Sequence, residues 1–297
     1  MKKILLLCQV GKKVGLGHLV RLCILKDLLK DEFDFSIEIL NEAGISDQSY
    51  KNDFLTKEID FDLIIADGLH VYDHISSNLN SKKIISLSYM SDINKHVDLL
   101  VTPALNGQKQ EKGHLYDLKY LICHLPKSEL DNTNKINKKI GFALGSFDVD
   151  SYGEEKKEYL KKNGFEIQFL KQEEKSLSLK EIIEKKILEE SYKNFPFYEF
   201  EDCDLVITQG GLSALELSNW GMPIIIRTRS DFKKAYNFLD KNLVGVERVE
   251  SNDENELLKK ILILLENSKI KTHQKFSFIN RDIMKDSWRN LLKSLTA

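Results

Sequence analysis

Short runs of consecutive apolar residues alternate along the chain with longer stretches in which apolar positions recur every three or four residues. "KILLLC" is followed by a helical pattern from Leu19 to Leu29, and then by "FSIEIL", "FDLIIAD", "KKIISLSY" and "VDLLVTP". Continuous apolar runs are expected of parallel strands covered on both faces, whereas half-exposed antiparallel strands alternate. From about Ser128 to Lys139 the segment "SELDNTNKINKK" is polar and aperiodic, as a linker would be. The pattern restarts with the strand "KIGFALGS", a solvated helix "EEKKEYLKK" and the strand "FEIQFL". "KSLSLKEIIEKKILEESY" has a helical pattern, and "CDLVITQGGLSALELSNWGMPIIIRT" is the clearest strand–turn–helix–strand unit. "ENELLKKILILLE" and "NRDIMKDSWRNLLKSL" predict two late helices, the second amphipathic. There is no internal repeat. The expected architecture is α/β: two Rossmann-like domains with a cleft between them, joined through right-handed crossovers. The pattern places an N-terminal domain at 1–136, a C-terminal domain at 137–279, and a last helix at 280–297 that packs back across the domains.

Composition narrows the class. The 297 residues suit two domains of ordinary size, and 42% hydrophobic with 30% charged residues is the balance of a soluble globular protein. The 46 acidic and 44 basic residues give a formal net charge of -2, so no nucleic-acid partner is expected. The apolar run in "MKKILLLCQVGKK" is too short for a signal-peptide core and fits a buried first strand. No stretch approaches the roughly 20 apolar residues of a membrane span. Cys8, Cys23, Cys123 and Cys203 have neither disulfide-dense nor C-x-x-C spacing and read as small buried residues. The expected compartment is the cytoplasm.

Two constellations carry chemistry. In "KKVGLGHLVR", Gly15 and Gly17 permit a tight turn and close backbone approach before a helix. His18 stands at the helix start with Arg21 three residues later on the same face. His18 is either a polar helix-start residue or a base able to take a proton near neutral pH. The run is not a dinucleotide fingerprint, because Val20 stands where G-x-G-x-x-G needs its last glycine. "IIADG" puts Asp67 and Gly68 just beyond a strand's carboxyl end, where ligands bind in open α/β sheets. In "TQGGLSALELSNWGMP", Gly210, Gly211 and Leu212 lie where a strand turns into a helix whose first amides suit a phosphate. Ser213 adds a hydroxyl or caps the helix. Glu216 is either a favourable first-turn acid or an acceptor for bidentate bonds from vicinal ribose hydroxyls. Gly221 and Pro223 stop the helix. The other histidines lack metal-ligand spacing, and neither a metal nor a cofactor is expected; His114 and His124 read as surface or loop residues. Phe195, Phe197, Tyr198 and Phe200 fit a base-contacting or domain-interface loop, and Arg227, Arg229 and Lys233 fit a phosphate contact or a solvated charge run.

Taken together, these passages resemble the PseG/SpsG-like nucleotide-sugar hydrolases, which have the GT-B fold and include a UDP-sugar hydrolase of pseudaminic acid synthesis. Gly15, Gly17, His18 and Arg21 match that family's G-x-G-H-x-x-R. Gly210, Ser213, Glu216, Gly221 and Pro223 match a pattern shared with MurG-like glycosyltransferases. The resemblance implies that His18 activates water to release UDP and free sugar from a UDP-linked amino or deoxy sugar in surface-glycan or nonulosonic acid synthesis. Asp67 and Gly68 then orient sugar or histidine, Gly210 and Gly211 lie near the diphosphate, and Glu216 lies at ribose. It also implies binding roles for Asn106, Tyr116, Gly145 and Ser146. UDP-sugar is the favoured partner, with CMP-sugar open. A GT-B glycosyltransferase with a glycan or small-molecule acceptor is the alternative, and a noncatalytic nucleotide-sugar-binding partner the third.

The sequence departs from the family on the sugar side. Leu7-Cys8-Gln9 stands in place of Arg-x-Asp, and Leu87 and Ser88 replace an Asp-Asp pair unless Asp92 has shifted into that role. Lys119 is the only candidate for an expected arginine, and "SDFKKAYN" replaces Asn-Gln. Carboxylates that orient the base are thereby lost.

Overall fold

The computed structural model describes residues 1–11, 14, 16–41, 60–78, 83–88, 92–102, 113–126, 137–144, 151–170, 181, 195–209, 211–227, 245–250, 252–270 and 280–297. The chain divides into two compact units. One gathers the described residues of Met1–Ile122, Glu174–Lys193 and Ile279–Ala297, the other those of Cys123–Glu173 and Asn194–Phe278.

The first unit is built on a six-stranded sheet of order β2-β1-β3-β4-β5-β6, in which every pairing is parallel. The strands are β1 (Lys2–Gln9), β2 (Phe33–Leu40), β3 (Leu63–Asp67), β4 (Ile84–Ser86), β5 (Leu99–Thr102) and β6 (His114–Tyr116). β1 and β3 are the unbroken apolar runs, and both lie buried inside the sheet, as two covered faces require. Helix α1 (Gly17–Leu29) follows β1 and buries Leu19, Leu22, Cys23, Leu25, Leu28 and Leu29. Helix α2 (Tyr72–Asn78) follows β3; Asp92 Oδ1 accepts hydrogen bonds from Val71 N (2.9 Å) and Tyr72 N (3.1 Å) at its start. Asp92 is therefore a cap for α2, satisfying amides that the helix itself leaves unpaired.

The last helix of the chain, Arg281–Thr296, belongs to this first unit. Asn280 caps it by accepting from Ile283 N, and Trp288 is fully buried, its indole N–H donating to Tyr120 O at 3.2 Å. Arg289 and Lys293 both reach Glu32 beyond the end of α1, and their hydrogen bonds hold its carboxyl below the usual range.

The second unit has a five-stranded parallel sheet of order β11-β10-β9-β7-β8. Its strands are β7 (Lys139–Ala143), β8 (Glu166–Phe169), β9 (Leu205–Thr208), β10 (Ile224–Arg227) and β11 (Val246–Val249). Three helices accompany them: α3 (Tyr152–Lys162), α4 (Leu212–Trp220) and α5 (Glu254–Ile270); the Arg281–Thr296 helix is α6. A core of Ile140, Phe142, Leu160, Leu205, Ile207, Ile225, Leu257 and Ile261 fills one side of the sheet. Near the other, Phe195 packs edge-on to Trp220 (5.1 Å), and Tyr198 does the same (5.7 Å). Phe200 is fully buried against Gly141, where an added Cβ would come within 2.7 Å of its ring. The aromatic cluster thus packs into the core around the end of α4.

β6 and β11 are three- and four-residue strands that the apolar pattern does not announce. The predicted helix at 175–192 lies outside the described residues apart from Glu181, and of the predicted linker only 137–139 is described.

Candidate functional site

In each sheet one pair of neighbouring strands marks a topological switch point, where the chain leaves in opposite directions and a crevice opens beyond the carboxyl ends. In the first unit that pair is β1 and β3, flanked by β2 and β4. Both sequence constellations of this half meet there. Asp67 is the last residue of β3, in register with Cys8 of β1, and is 0% exposed. Four hydrogen bonds converge on its carboxylate. His18 Nδ1 lies 2.7 Å from Oδ1, Arg21 donates from Nε to Oδ2 (2.6 Å) and from Nη2 to Oδ1 (2.5 Å), and Ser88 Oγ donates to Oδ1 (2.8 Å). The i, i+3 spacing on α1 brings histidine and arginine to the same carboxylate. Burial alone would raise the Asp67 pKa; the Arg21 and His18 charges and their hydrogen bonds outweigh it and hold the carboxyl far below the usual range.

An ionised carboxylate has no proton to give, so Nδ1 of His18 carries the hydrogen and donates it. In its neutral form the ring then has its lone pair on Nε2. The arrangement fixes tautomer and ring orientation together, which a proton acceptor needs. Ser88 stands where the resembling family has a carboxylate; here its hydroxyl supports Asp67 instead.

Gln9, at the other lost carboxylate position, also has a structural part. Its Oε1 accepts from Leu69 N (2.8 Å) and His70 N (3.2 Å), pinning the turn after β3. A Cβ on Gly68 would lie 2.6 Å from Gln9 Cβ, so the glycine is demanded by this close approach. Gly17 is the first residue of α1, has ordinary backbone geometry and faces open space. Within the protein itself, close backbone approach demands a glycine at Gly68. Among the described residues the start of α1 has no side-chain cap and no acidic residue in its first turn.

Tyr116 lies on β6, with its hydroxyl 2.7 Å from His114 Nδ1. His114 is thus a strand residue with a partner and not a loop residue. His74 and His96 are also engaged within the fold, at Glu38 (3.0 Å) and against the Tyr72 ring (4.1 Å). Lys119 forms a surface pair with Asp117 at 3.3 Å.

In the second unit the switch point lies between β7 and β9, flanked by β8 and β10. β9 leads into Gly211, whose φ of 69° and ψ of -144° suit only glycine, and then into α4. Among the described residues the helix start carries no side-chain cap and no first-turn acid, a setting that suits an anion at its first amides. Ser213 is therefore not a cap, and Glu216 is not a first-turn acid: it stands one turn further in. Gly221 ends α4 in the left-handed region at φ 90°, as the Gly-x-Pro stop predicts.

Glu216 is 2% exposed and is held by His124. The backbone N–H and ring Nδ1 of His124 each lie 2.7 Å from Glu216 Oε1. This overturns the surface placement of His124, whose side chain is buried. A sequence signal existed: a titratable ring inside the apolar run "LICHLP" must find a partner. Arg227, at the end of β10, is also buried, its guanidinium 4.1 Å from the centre of the Tyr152 ring, so it is no solvated charge. Gly15, Asn106, Gly145, Ser146 and Gly210, with Arg229 and Lys233, lie outside the described residues.

No protein-family model matches the chain, and no curated protein matches it in sequence. Solved structures match over its whole length. MurG of Acinetobacter baumannii superposes with a TM-score of 0.56 at 12% identity, covering 99% of this chain and 100% of its own. MnaA of S. aureus, solved with UDP, gives 0.56 at 11% identity over 99% and 96%. The spinosyn rhamnosyltransferase SpnG, solved with thymidine diphosphate, gives 0.53 at 12% over 99% and 100%. Two parallel α/β sheets in this order, matched end to end by these structures, establish that the chain has the GT-B fold.

Proposed function

We propose that this protein is a glycosyltransferase that moves a sugar from a nucleoside diphosphate donor, UDP favoured, to an acceptor hydroxyl. The observation that carries it is the buried Asp67 carboxylate bonded to His18 Nδ1, which leaves Nε2 as the proton acceptor. The acceptor O–H gives its proton to Nε2 as the oxygen bonds to the anomeric carbon. The bond from that carbon to the diphosphate breaks, and the nucleoside diphosphate leaves with the electron pair. The imidazolium formed on His18 is stabilised by the Asp67 charge, and general-base assistance of this kind contributes roughly 10²–10⁴-fold. In the C-terminal unit, the amides at the start of α4 compensate the diphosphate, and Glu216 accepts from ribose. Likeness in fold to SpnG, a rhamnosyltransferase bound to a nucleoside diphosphate, supports transfer above hydrolysis.

Transfer and hydrolysis differ in whether a sugar hydroxyl or water is the nucleophile. Purified protein incubated with UDP-sugars, with and without sugar and lipid acceptors, is expected to release UDP only when an acceptor is present. Equal release without any acceptor would replace transfer with hydrolysis. Tight UDP binding without turnover on any donor would leave a binding protein.

A further inference from the structure

Glu216 lies on α4 in the same stripe as Ser213, one turn from the helix start. Its environment is buried and specific. The carboxylate is 2% exposed, and the neighbouring Cys123 thiol is pushed well up by burial and by the Glu216 charge. Both of the hydrogen bonds it receives among the described residues come from His124, and both end on Oε1. A carboxylate oxygen has two lone pairs. Both donors of His124 fall on Oε1, and Oε2 receives neither.

We propose that His124 is the positioning residue for nucleotide recognition: it locks the Glu216 carboxylate in one rotamer and leaves Oε2 to accept from ribose. This rests on the ribose role proposed for Glu216 above. The backbone N–H holds Oε1 whatever the side chain, so the imidazole supplies the second constraint, the one that fixes the plane of the carboxylate. Without it the carboxylate turns about its terminal torsion, which is broad and soft, and water occupies Oε1. A hydrogen bond to a charged group is worth about 1.5–3 kcal/mol, or roughly ten- to a hundredfold in affinity where the bond depends on it.

The test is calorimetric titration of the full chain with UDP and with an analogue of UDP lacking both ribose hydroxyls. The wild type is expected to prefer UDP. His124→Ala is expected to lose about tenfold in UDP affinity, with the analogue unchanged within about twofold. His124→Asn keeps an N–H near the position of Nδ1 and is expected to restore most of the preference. Because the two ligands are compared within one protein sample, damage to the fold lowers both affinities and leaves their ratio intact. If the wild type and Glu216→Gln bind both ligands equally well, the ribose role itself is wrong, and the role of His124 falls with it. A wild-type preference that survives intact in His124→Ala would overturn the positioning role alone.

Discussion

Replacing Asp67 by Asn keeps the volume of the side chain and removes its charge. The wild-type carboxylate accepts three hydrogen bonds on Oδ1 and one on Oδ2. An amide has a single acceptor oxygen. Turned with that oxygen toward His18, Ser88 and Arg21 Nη2, it points its own N–H₂ at Arg21 Nε, donor against donor. One charge-assisted bond, worth about 1.5–3 kcal/mol, is lost, and the guanidinium loses its counter-charge. Breaking a buried pair costs about 3–5 kcal/mol. Arg21 keeps 18% of its side chain exposed, so water recovers part of this and the expected loss is about 2–3 kcal/mol. The rate suffers separately. Asn still accepts from Nδ1, so the ring is held, but the imidazolium formed during transfer has no anion beside it; a fall of up to about 10²–10⁴ in kcat, the size of a general-base contribution, is expected. Donor KM should stay within about twofold, since the nucleotide contacts proposed here belong to the other unit. Urea unfolding and initial-rate kinetics measure the two effects. The pH dependence has a definite sign. The Asp67 carboxyl is depressed in the folded protein, so its contribution is complete above the unfolded carboxyl value, about 3.9, and is lost as the pH falls through the lower folded value. The gap in stability between wild type and Asp67→Asn should hold steady from about pH 5 to 8 and close in stronger acid. A variant that folds, turns over within about threefold of wild type and shows no such gap would refute the pairing.

Three smaller perturbations test neighbouring parts of the account. Ser88→Ala removes one donor from Asp67 Oδ1 and is expected to lower kcat about three- to tenfold with donor KM unchanged; an unaltered rate would remove Ser88 from the support of the pair. Gly141→Ala places a Cβ 2.7 Å from the Phe200 ring and 3.0 Å from Val206, and should cost about 1–3 kcal/mol in urea unfolding. All four cysteines are buried, and burial pushes the Cys23 and Cys203 thiols up to about 12. A thiol reagent at neutral pH should therefore find less than about one equivalent in the folded protein and all of them after denaturation; rapid reaction of native protein would contradict this burial.

The local signals in the sequence were strong where the physics is local. The unbroken apolar runs gave β1, β3, β9 and β10 and their parallel pairing, because a strand covered on both faces cannot alternate. "GLGHLVR" put His18 and Arg21 on one helix face, and "LIIAD" put Asp67 at a strand's ligand end. Contacts distant in the chain left no periodic trace. Ser88 reaches Asp67 across 21 residues, and His124 reaches Glu216 across 92. Gln9 looked like a lost carboxylate, yet an amide oxygen serves equally well to hold two backbone N–H groups. β6 pairs through three residues, too few for an apolar pattern to register. Asp92 was legible as a spare acid but not as the cap of α2, since its partners precede it by some 20 residues.

The most direct test of the central claim follows a labelled sugar. Wild type and His18→Gln are given the same labelled UDP-sugar with a saturating acceptor, and glycosylated acceptor and free sugar are quantified separately while UDP affinity is measured alongside. Wild type should place the label on the acceptor. His18→Gln should bind UDP as wild type does and form product at least about tenfold more slowly. Product formed at the wild-type rate by His18→Gln, or label appearing as free sugar while the acceptor stays unmodified, would contradict glycosyl transfer by a His18 base.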